Sequence, residues 1–323
     1  MKAPFPYFGG KSKVAPIVWD ALGQPKHYIE PFFGSGAVLL NRPRYDPAKH
    51  IETVNDKDGF IANTWRALQA APDDVAKWCD WPVNHADLCA RRRALIAAEG
   101  RLLSELIADD EFYDAKMAGY WIWAASCWIG SGLTKLNAIP HISDAGVGVH
   151  AIGQRPDIAG SGKGVHGTYN PNIYTWFREL SERLRRVRVV CGDWRRVCGG
   201  DWQDKMGTVG IFFDPPYGDV GRDKKLYHHD SVDIADEVRA WCLERGDRPT
   251  YRIVLAGYDE HEDLLSRGWR AERWKAQGGY SNIGKGKNGN RHREVLYLSP
   301  HCLNGSGEFV EAYKPFAGKR EEE

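Results

Sequence analysis

Seven short apolar runs punctuate the chain: His27–Glu30, Ile51–Val54, Val187–Cys191, Val209–Phe213, Tyr251–Ala256, Trp269–Trp274 and Glu294–Leu298. Stretches with a helical period lie between several of them, at Lys13–Ala21, Ala37–Leu40, Gly59–Gln69, Tyr174–Arg185 and Ile234–Glu244. A strand buried on both faces reads as a continuous apolar run, and strands that alternate with helices assemble into a mostly parallel sheet. The expected fold class is therefore α/β with a Rossmann-like sheet. The last two runs follow each other with no helix between them, which predicts an antiparallel pair at one edge.

Between about Ala71 and Tyr169 the alternation stops. Helical patterns at Asp87–Ala98 and Phe112–Cys127 precede the Gly-rich segment "SDAGVGVHAIGQRPDIAGSGKGVHGTYNPN". A connection of that length without its own structure is functional or mobile in a compact domain. The simplest division is an α/β domain made of 1–70 and 175–303, interrupted by an inserted, mainly helical and loop-rich module at 71–174. Residues 304–323, ending in "GKREEE", form a C-terminal tail. Trp121, Trp123 and Trp128 in "GYWIWAASCWIG" fall at helical spacing and read as core rather than as a base-stacking surface.

Composition narrows the setting. With 323 residues the chain can bury a full-sized core, and its net charge of +1 rules out a general polycation. Seven cysteines with no C-x-x-C pair suggest reduced thiols. The start, "MKAPFPYFGGKSK", lacks the apolar core of a signal peptide, and no run matches a membrane span. A cytoplasmic protein is expected. Cys79, His85 and Cys89 have no fourth ligand at finger-like spacing, so no metal is expected. Basic clusters occur at Arg91-Arg92-Arg93, at Lys224-Lys225 and in "GKGKNGNRHR"; each alone reads as a solvated face.

Two turns carry the chemistry. In "YIEPFFGSGAVLL" a strand runs into Glu30-Pro31, then Gly34-Ser35-Gly36, then a helix, a geometry that brings backbone close to a nucleotide-like ligand. A dinucleotide fingerprint wants glycine three residues after Gly36, where Leu39 stands, so a nucleoside fits better than a pyrophosphate. Asp56, at the end of the next strand, occupies the place of an acid that holds ribose hydroxyls. Alone, that pattern also fits a plain turn beside a surface acid. The second turn is Asp214-Pro215-Pro216-Tyr217, closing the run Val209–Phe213. Its prolines fix φ and remove donors, leaving an acid and a rigid carbonyl as two acceptors for one –NH2 group, with an aromatic face one step on.

The motifs "PYFGGKSKVAP", "EPFFGSGAVLLN", "VNDKD", "CGDW", "FFDPPYG" and "GGYSNIGKGKNGNRHREVLYLSP" occur in this order. In them the chain resembles the Dam-like DNA adenine-N6 methyltransferases, which use S-adenosylmethionine. The middle, Ala71 to Tyr174, matches only loosely. The resemblance implies that Tyr7, Phe8, Gly9, Gly10 and Lys11 contact the cofactor, Tyr7 standing where relatives often carry Trp. It further implies that Phe32, Gly34 and Gly36 line its methionine side, Asp56 its ribose, and Asp193 and Trp194 its adenine, with Glu30, Pro31, Ser35 and Asn55 among the further cofactor contacts. Asp214 adjoins both cofactor and target.

On this resemblance Asp214 and the Pro215 carbonyl accept the hydrogens of a target amine, Pro216 stiffens the corner, and Tyr217 stacks on a base flipped from double-stranded DNA. Lys285, Lys287, Asn290, Arg291 and Arg293 are implied to follow DNA phosphates, and Lys135 and Asn137 to contact DNA from the inserted module. The expected activity is site-specific methylation of the adenine N6 amine. Cytosine-N4 methylation by the same corner, a non-catalytic DNA-binding relative, and methylation of RNA or a small amine stay open at this point.

Overall fold

The computed structural model describes residues 1–5, 11–82, 84–128, 133–134, 172–200, 205, 207–216, 230–258, 261–274 and 294–303. Among them, helices α1 (Ala15–Leu22), α2 (Ala37–Leu40), α3 (Gly59–Ala70), α4 (Pro72–Cys79), α5 (His85–Ala108), α6 (Ala115–Cys127), α7 (Ile173–Leu184), α8 (Arg195–Cys198), α9 (Asp230–Arg245) and α10 (Glu262–Ser266) accompany seven strands. The strands are β1 (His27–Glu30), β2 (Ile51–Asp56), β3 (Val187–Cys191), β4 (Val209–Phe213), β5 (Tyr251–Gly257), β6 (Arg270–Arg273) and β7 (Val295–Leu298). They form one mostly parallel sheet in the order β3-β2-β1-β4-β5-β7-β6, the Rossmann-like architecture expected from the alternating pattern.

The chain groups into two compact units, each described by itself. The first comprises Met1–Ser12, Phe32–Arg42 and Glu52–Gly199. Here β2 and β3 pair in parallel, from Glu52 opposite Val187 to Asp56 opposite Cys191. The amphipathic α7 buries Ile173, Trp176, Phe177, Leu180 and Leu184, one face at helical spacing, and Asn172 caps its start by accepting from the Thr175 amide at 3.1 Å. Helices α4, α5 and α6 pack with α3 and α7 in this unit.

A buried charge network holds the unit beneath β2. Glu52 Oε1 accepts from Arg42 Nη1 at 3.1 Å and from Arg183 Nη2 at 3.0 Å, and Oε2 accepts from Arg183 Nη1 at 2.7 Å. Arg183 Nη2 also donates to the Leu39 carbonyl at 3.1 Å. Such a network is tolerated only because paired charges and hydrogen bonds offset desolvation.

The first unit also corrects the reading of the basic cluster. Arg91 and Arg92 are buried, not solvated. The Arg91 guanidinium lies 5.1 Å from the Trp81 ring, 4.5 Å from Tyr120 and 4.4 Å from Trp123, and donates to the Trp78 carbonyl at 2.8 Å. Cation–π contact on three sides replaces the lost water. Burial pulls the Arg91 pKa down from its ordinary value. Trp121 and Trp123 are core, as their spacing predicts, and Trp128 is half-buried.

The second unit comprises Lys13–Pro31, Pro43–Ile51 and Gly200–Glu323. Its β4 is buried throughout, between β1 (Tyr28 opposite Gly210) and β5 (Phe213 opposite Leu255), both in parallel. Val209, Ile211, Phe212 and Phe213 are each at most 1% exposed, and each fully buried side chain of this size stabilises by about 1.5–3 kcal/mol. Strand β7 runs antiparallel to both β5 and β6, which places the expected antiparallel pair at the sheet edge.

Helix α4 adds an element that the apolar pattern does not announce, and α5 runs 24 residues, ten beyond the Ala98 at which its pattern breaks off. No described helix is long and apolar enough to cross a membrane. All seven cysteines are free thiols. Among the described residues no cluster of three metal-ligating side chains occurs; Cys89 Sγ lies 3.5 Å from His85 Nε2, while Cys79 donates to the Gly119 carbonyl.

Candidate active site

The turn after β1 enters the first unit at Phe32 and closes on itself. Gly34 and Gly36 both take left-handed φ values, 49° and 64°, which L side chains adopt only at a cost. A Cβ at Gly36 would meet the Phe33 ring at 2.7 Å and Trp65 at 3.2 Å, so glycine is needed there for space as well as for φ. Three amides of the turn are spent on protein acceptors: Phe33 donates to the Asn55 carbonyl at 2.9 Å, Gly34 to Asp56 Oδ2 at 2.8 Å, and Gly36 to the Phe33 carbonyl at 2.9 Å. A phosphate cradle aims such amides at its ligand. This turn aims three of them at protein, in keeping with a nucleoside rather than a pyrophosphate.

Asn55 and Asp56, at the end of β2, are the hub. The Asn55 amide nitrogen donates to the Gly192 carbonyl at 3.0 Å, and the Gly192 amide donates to the Asp56 carbonyl at 3.0 Å. Gly192, at φ 137°, opens the turn that carries Asp193 and Trp194. The ends of β2 and β3 and the Gly34–Gly36 turn are thus tied through two consecutive residues.

Each Asp56 carboxylate oxygen accepts one backbone N–H, Oδ2 from Gly34 and Oδ1 from Asp58 at 2.9 Å. Each oxygen has a second lone-pair direction, and the carboxylate is half-buried, so two further donors can be received. Burial, with repulsion from Asp58 second, pushes the Asp56 pKa from 3.8 up to about 7; the backbone N–H bonds oppose the shift without cancelling it. A carboxylate held so close to neutrality is poised for a ligand that favours its charged form.

Phe32 is half-buried, and its ring centroid lies 6.5 Å from that of Trp194, with 34° between planes. Trp194 is 4% exposed. Asp193 is exposed and pairs with Arg195 at 3.2 Å. Ser35 is buried within the turn, and Lys11 is only 6% exposed. Asp56 offers an acid suited to a diol and the half-buried Phe32 an aromatic face, chemistry that suits a nucleoside.

In the second unit, Glu30 is buried and accepts from the Tyr28 hydroxyl at 2.8 Å, and Pro31 beside it is buried. Asp214 leaves β4 half-buried, followed by a buried Pro215 and an exposed Pro216. The preceding Phe213 packs edge-on against Trp241 at 5.3 Å, which anchors the corner to α9. Tyr7, Phe8, Gly9, Gly10 and Tyr217 lie outside the described residues, as do Lys135, Asn137, Lys285, Lys287, Asn290, Arg291 and Arg293.

Two contributors receive no role from the motif reading. Gly192 is the partner through which Asn55 and Asp56 reach β3, and its only signal is the glycine before Asp193. Trp65, on α3, is fully buried and donates from its indole nitrogen to the Gly34 carbonyl at 3.0 Å. Its position on the inward helical face, in step with Ile61 and Leu68, marks it as core; nothing in the sequence marks its acceptor.

No curated protein matches the chain. Residues 7–94, which carry the glycine turn, Asn55, Asp56 and Trp65, match the family model described as D12 class N6 adenine-specific DNA methyltransferase, which identifies the chain as an enzyme similar to the DNA adenine methyltransferases.

Proposed function

We propose that this protein is a site-specific enzyme that transfers the methyl group of S-adenosylmethionine to the N6 amine of an adenine flipped out of double-stranded DNA. The observation that carries the reading is the tied hub of Gly34, Asn55 and Asp56, all inside the stretch that matches the methyltransferase family, bonded to Gly192 at the end of β3. On this reading 1–70 and 175–303 form the catalytic domain, 71–174 the target-recognition module and 304–323 a tail, and the protein works in the cytoplasm.

Bound S-adenosylmethionine supplies a methyl group already activated on a sulfonium. The chain's own residues then have to hold, align and drain charge. Asp56 receives the ribose hydroxyls, with Asn55 fixing the strand end. Phe32 lines the methionine side with Gly34 and Gly36, and Asp193 offers an acceptor for the adenine amine in front of the buried Trp194. Tyr7, Phe8 and Lys11 contact the cofactor, with Gly9 and Gly10 permitting close backbone approach.

At the catalytic corner, the Asp214 carboxylate and the Pro215 carbonyl accept the two hydrogens of the target amine. This leaves the nitrogen lone pair free and stabilises the positive charge that develops on nitrogen. Tyr217 stacks on the flipped base, whose extrusion costs on the order of a few kcal/mol. Lys285, Lys287, Asn290, Arg291 and Arg293, with Lys135 and Asn137, hold the duplex.

The test is transfer of labelled methyl to unmethylated DNA by wild type and by Asp214→Ala, with the S-adenosylmethionine Kd measured for both. The reading expects transfer to fall by at least about a hundredfold, as when a charge-stabilising group is removed, with Kd nearly unchanged. Equal turnover in the two proteins contradicts it.

A further inference from the structure

Gly34 is pinned on both sides. Its amide donates to Asp56 at 2.8 Å, and its carbonyl accepts from the Trp65 indole nitrogen at 3.0 Å. The two bonds lie on the two peptides that flank one Cα, so together they fix both φ and ψ of a residue in the left-handed region. The first bond is a charge-assisted bond to the candidate ribose acid. The second comes from a helix, α3, whose start is itself capped by Asp58 accepting from the Phe60 amide at 2.7 Å.

The Trp65 ring is wedged as well as bonded. It lies 5.0 Å from Phe33 and 5.6 Å from Phe5, centroid to centroid, and closes the space above Gly36. A phenylalanine would fill much of that volume. Only an indole brings an N–H to the Gly34 carbonyl, and a buried indole N–H without an acceptor is costly.

Building on the nucleoside-site reading above, we propose that Trp65 is a positioning residue for cofactor binding: its N–H and ring set the Gly34–Gly36 turn, and through Gly34 they hold Asp56 in the orientation that receives the ribose. Losing the indole N–H lets the 34–35 peptide rotate and loosens the Gly34 amide from Asp56. Affinity for the nucleoside then falls, while the chemistry at saturation does not change.

Two replacements separate bonding from packing. Trp65→Phe keeps an aromatic ring; benzothienylalanine at the same position keeps the indole shape and puts sulfur in place of N–H. If Trp65→Phe does not fold, the isostere still gives the answer. Three readouts are taken: amide hydrogen exchange at 33–36, the S-adenosylmethionine Kd, and kcat at saturating cofactor. The expected result is faster exchange in the turn, a Kd raised about five- to tenfold, the loss typical of one buried hydrogen bond, and an unaltered kcat.

A further signature is the pH dependence of binding. Asp56 without its Gly34 N–H bond loses one influence that lowers its pKa, so the pH of half-maximal affinity moves upward. A core residue that merely stabilised the fold would lower Tm and leave that midpoint and the Kd where they are. Unchanged exchange, or faster exchange with an unchanged Kd in a wild type that binds, overturns the inference. If the turn loosens and wild type itself does not bind S-adenosylmethionine, the hold on Gly34 stands and the cofactor assignment falls.

Discussion

The protonation of Asp56 makes nucleoside binding pH-dependent in a direction that can be worked out. In the ligand-free protein its pKa is about 7, raised chiefly by burial. A ribose diol donates two hydrogen bonds, and only the ionised carboxylate accepts both on top of the backbone N–H bonds that it already receives. Binding therefore selects the charged form and releases a proton below neutral pH. The ionised fraction is about 0.1 at pH 6 and about 0.9 at pH 8, so the Kd should be roughly tenfold weaker at pH 6. Cys191 nearby, its pKa pushed by burial to about 11, stays a neutral thiol over this range and adds no competing titration.

The assay is isothermal titration of 5′-methylthioadenosine, which keeps the adenine and ribose but lacks the titrating amino-acid portion of the cofactor. Buffers of differing ionisation enthalpy count the protons released. Asp56→Asn should bind weakly and with no pH slope. The same shift has a counterpart in stability. A carboxyl whose folded pKa lies above its unfolded value contributes stability that is complete below about pH 4 and is lost as pH rises through about 7. Unfolding of the ligand-free protein should therefore show Asp56→Asn gaining on wild type over that window. A flat Kd between pH 6 and 8 refutes the argument, as does a slope that survives in Asp56→Asn.

Two further substitutions probe the supports. Gly36→Ala forces a Cβ to 2.7 Å from the Phe33 ring at φ 64°, and should cost about 1–3 kcal/mol of stability together with cofactor affinity; an unshifted Tm would show that the turn is not tight. Glu52→Gln leaves Arg42 and Arg183 without their counter-charge and should destabilise by about 3–5 kcal/mol in chemical denaturation. A loss under about 1 kcal/mol would mean that water reaches the network.

Strands β4 and β7 were legible because strands buried on both faces carry unbroken apolar runs, and the Val209–Phe213 run stops where Pro215 and Pro216 can no longer donate to a ladder. Helix α4 was not, although Pro72 in its first turn with Asp73 and Asp74 is a proper start; eight residues with three buried side chains give too short a pattern. Helix α5 looked finished at Glu99-Gly100, yet one interior glycine costs only about 1 kcal/mol, and Leu102 and Leu106 continue the stripe of Leu95. The burial of Arg91 depends on Trp81, Tyr120 and Trp123, which the sequence holds far apart and only packing assembles.

The candidate site divides the same way. Residue types with a single chemical use, such as Asp56 after a strand or Asp214 before two prolines, stand out from local order. The bonds that aim them do not: Trp65 reaches Gly34 across 31 residues, and Asn55 reaches Gly192 across 137.

The most direct measurement is nucleoside mass spectrometry of unmethylated DNA incubated with the protein and S-adenosylmethionine, with Asp214→Ala in parallel. The account predicts N6-methyladenine with wild type and none above background with the variant. N4-methylcytosine, or no methylated base, would contradict it.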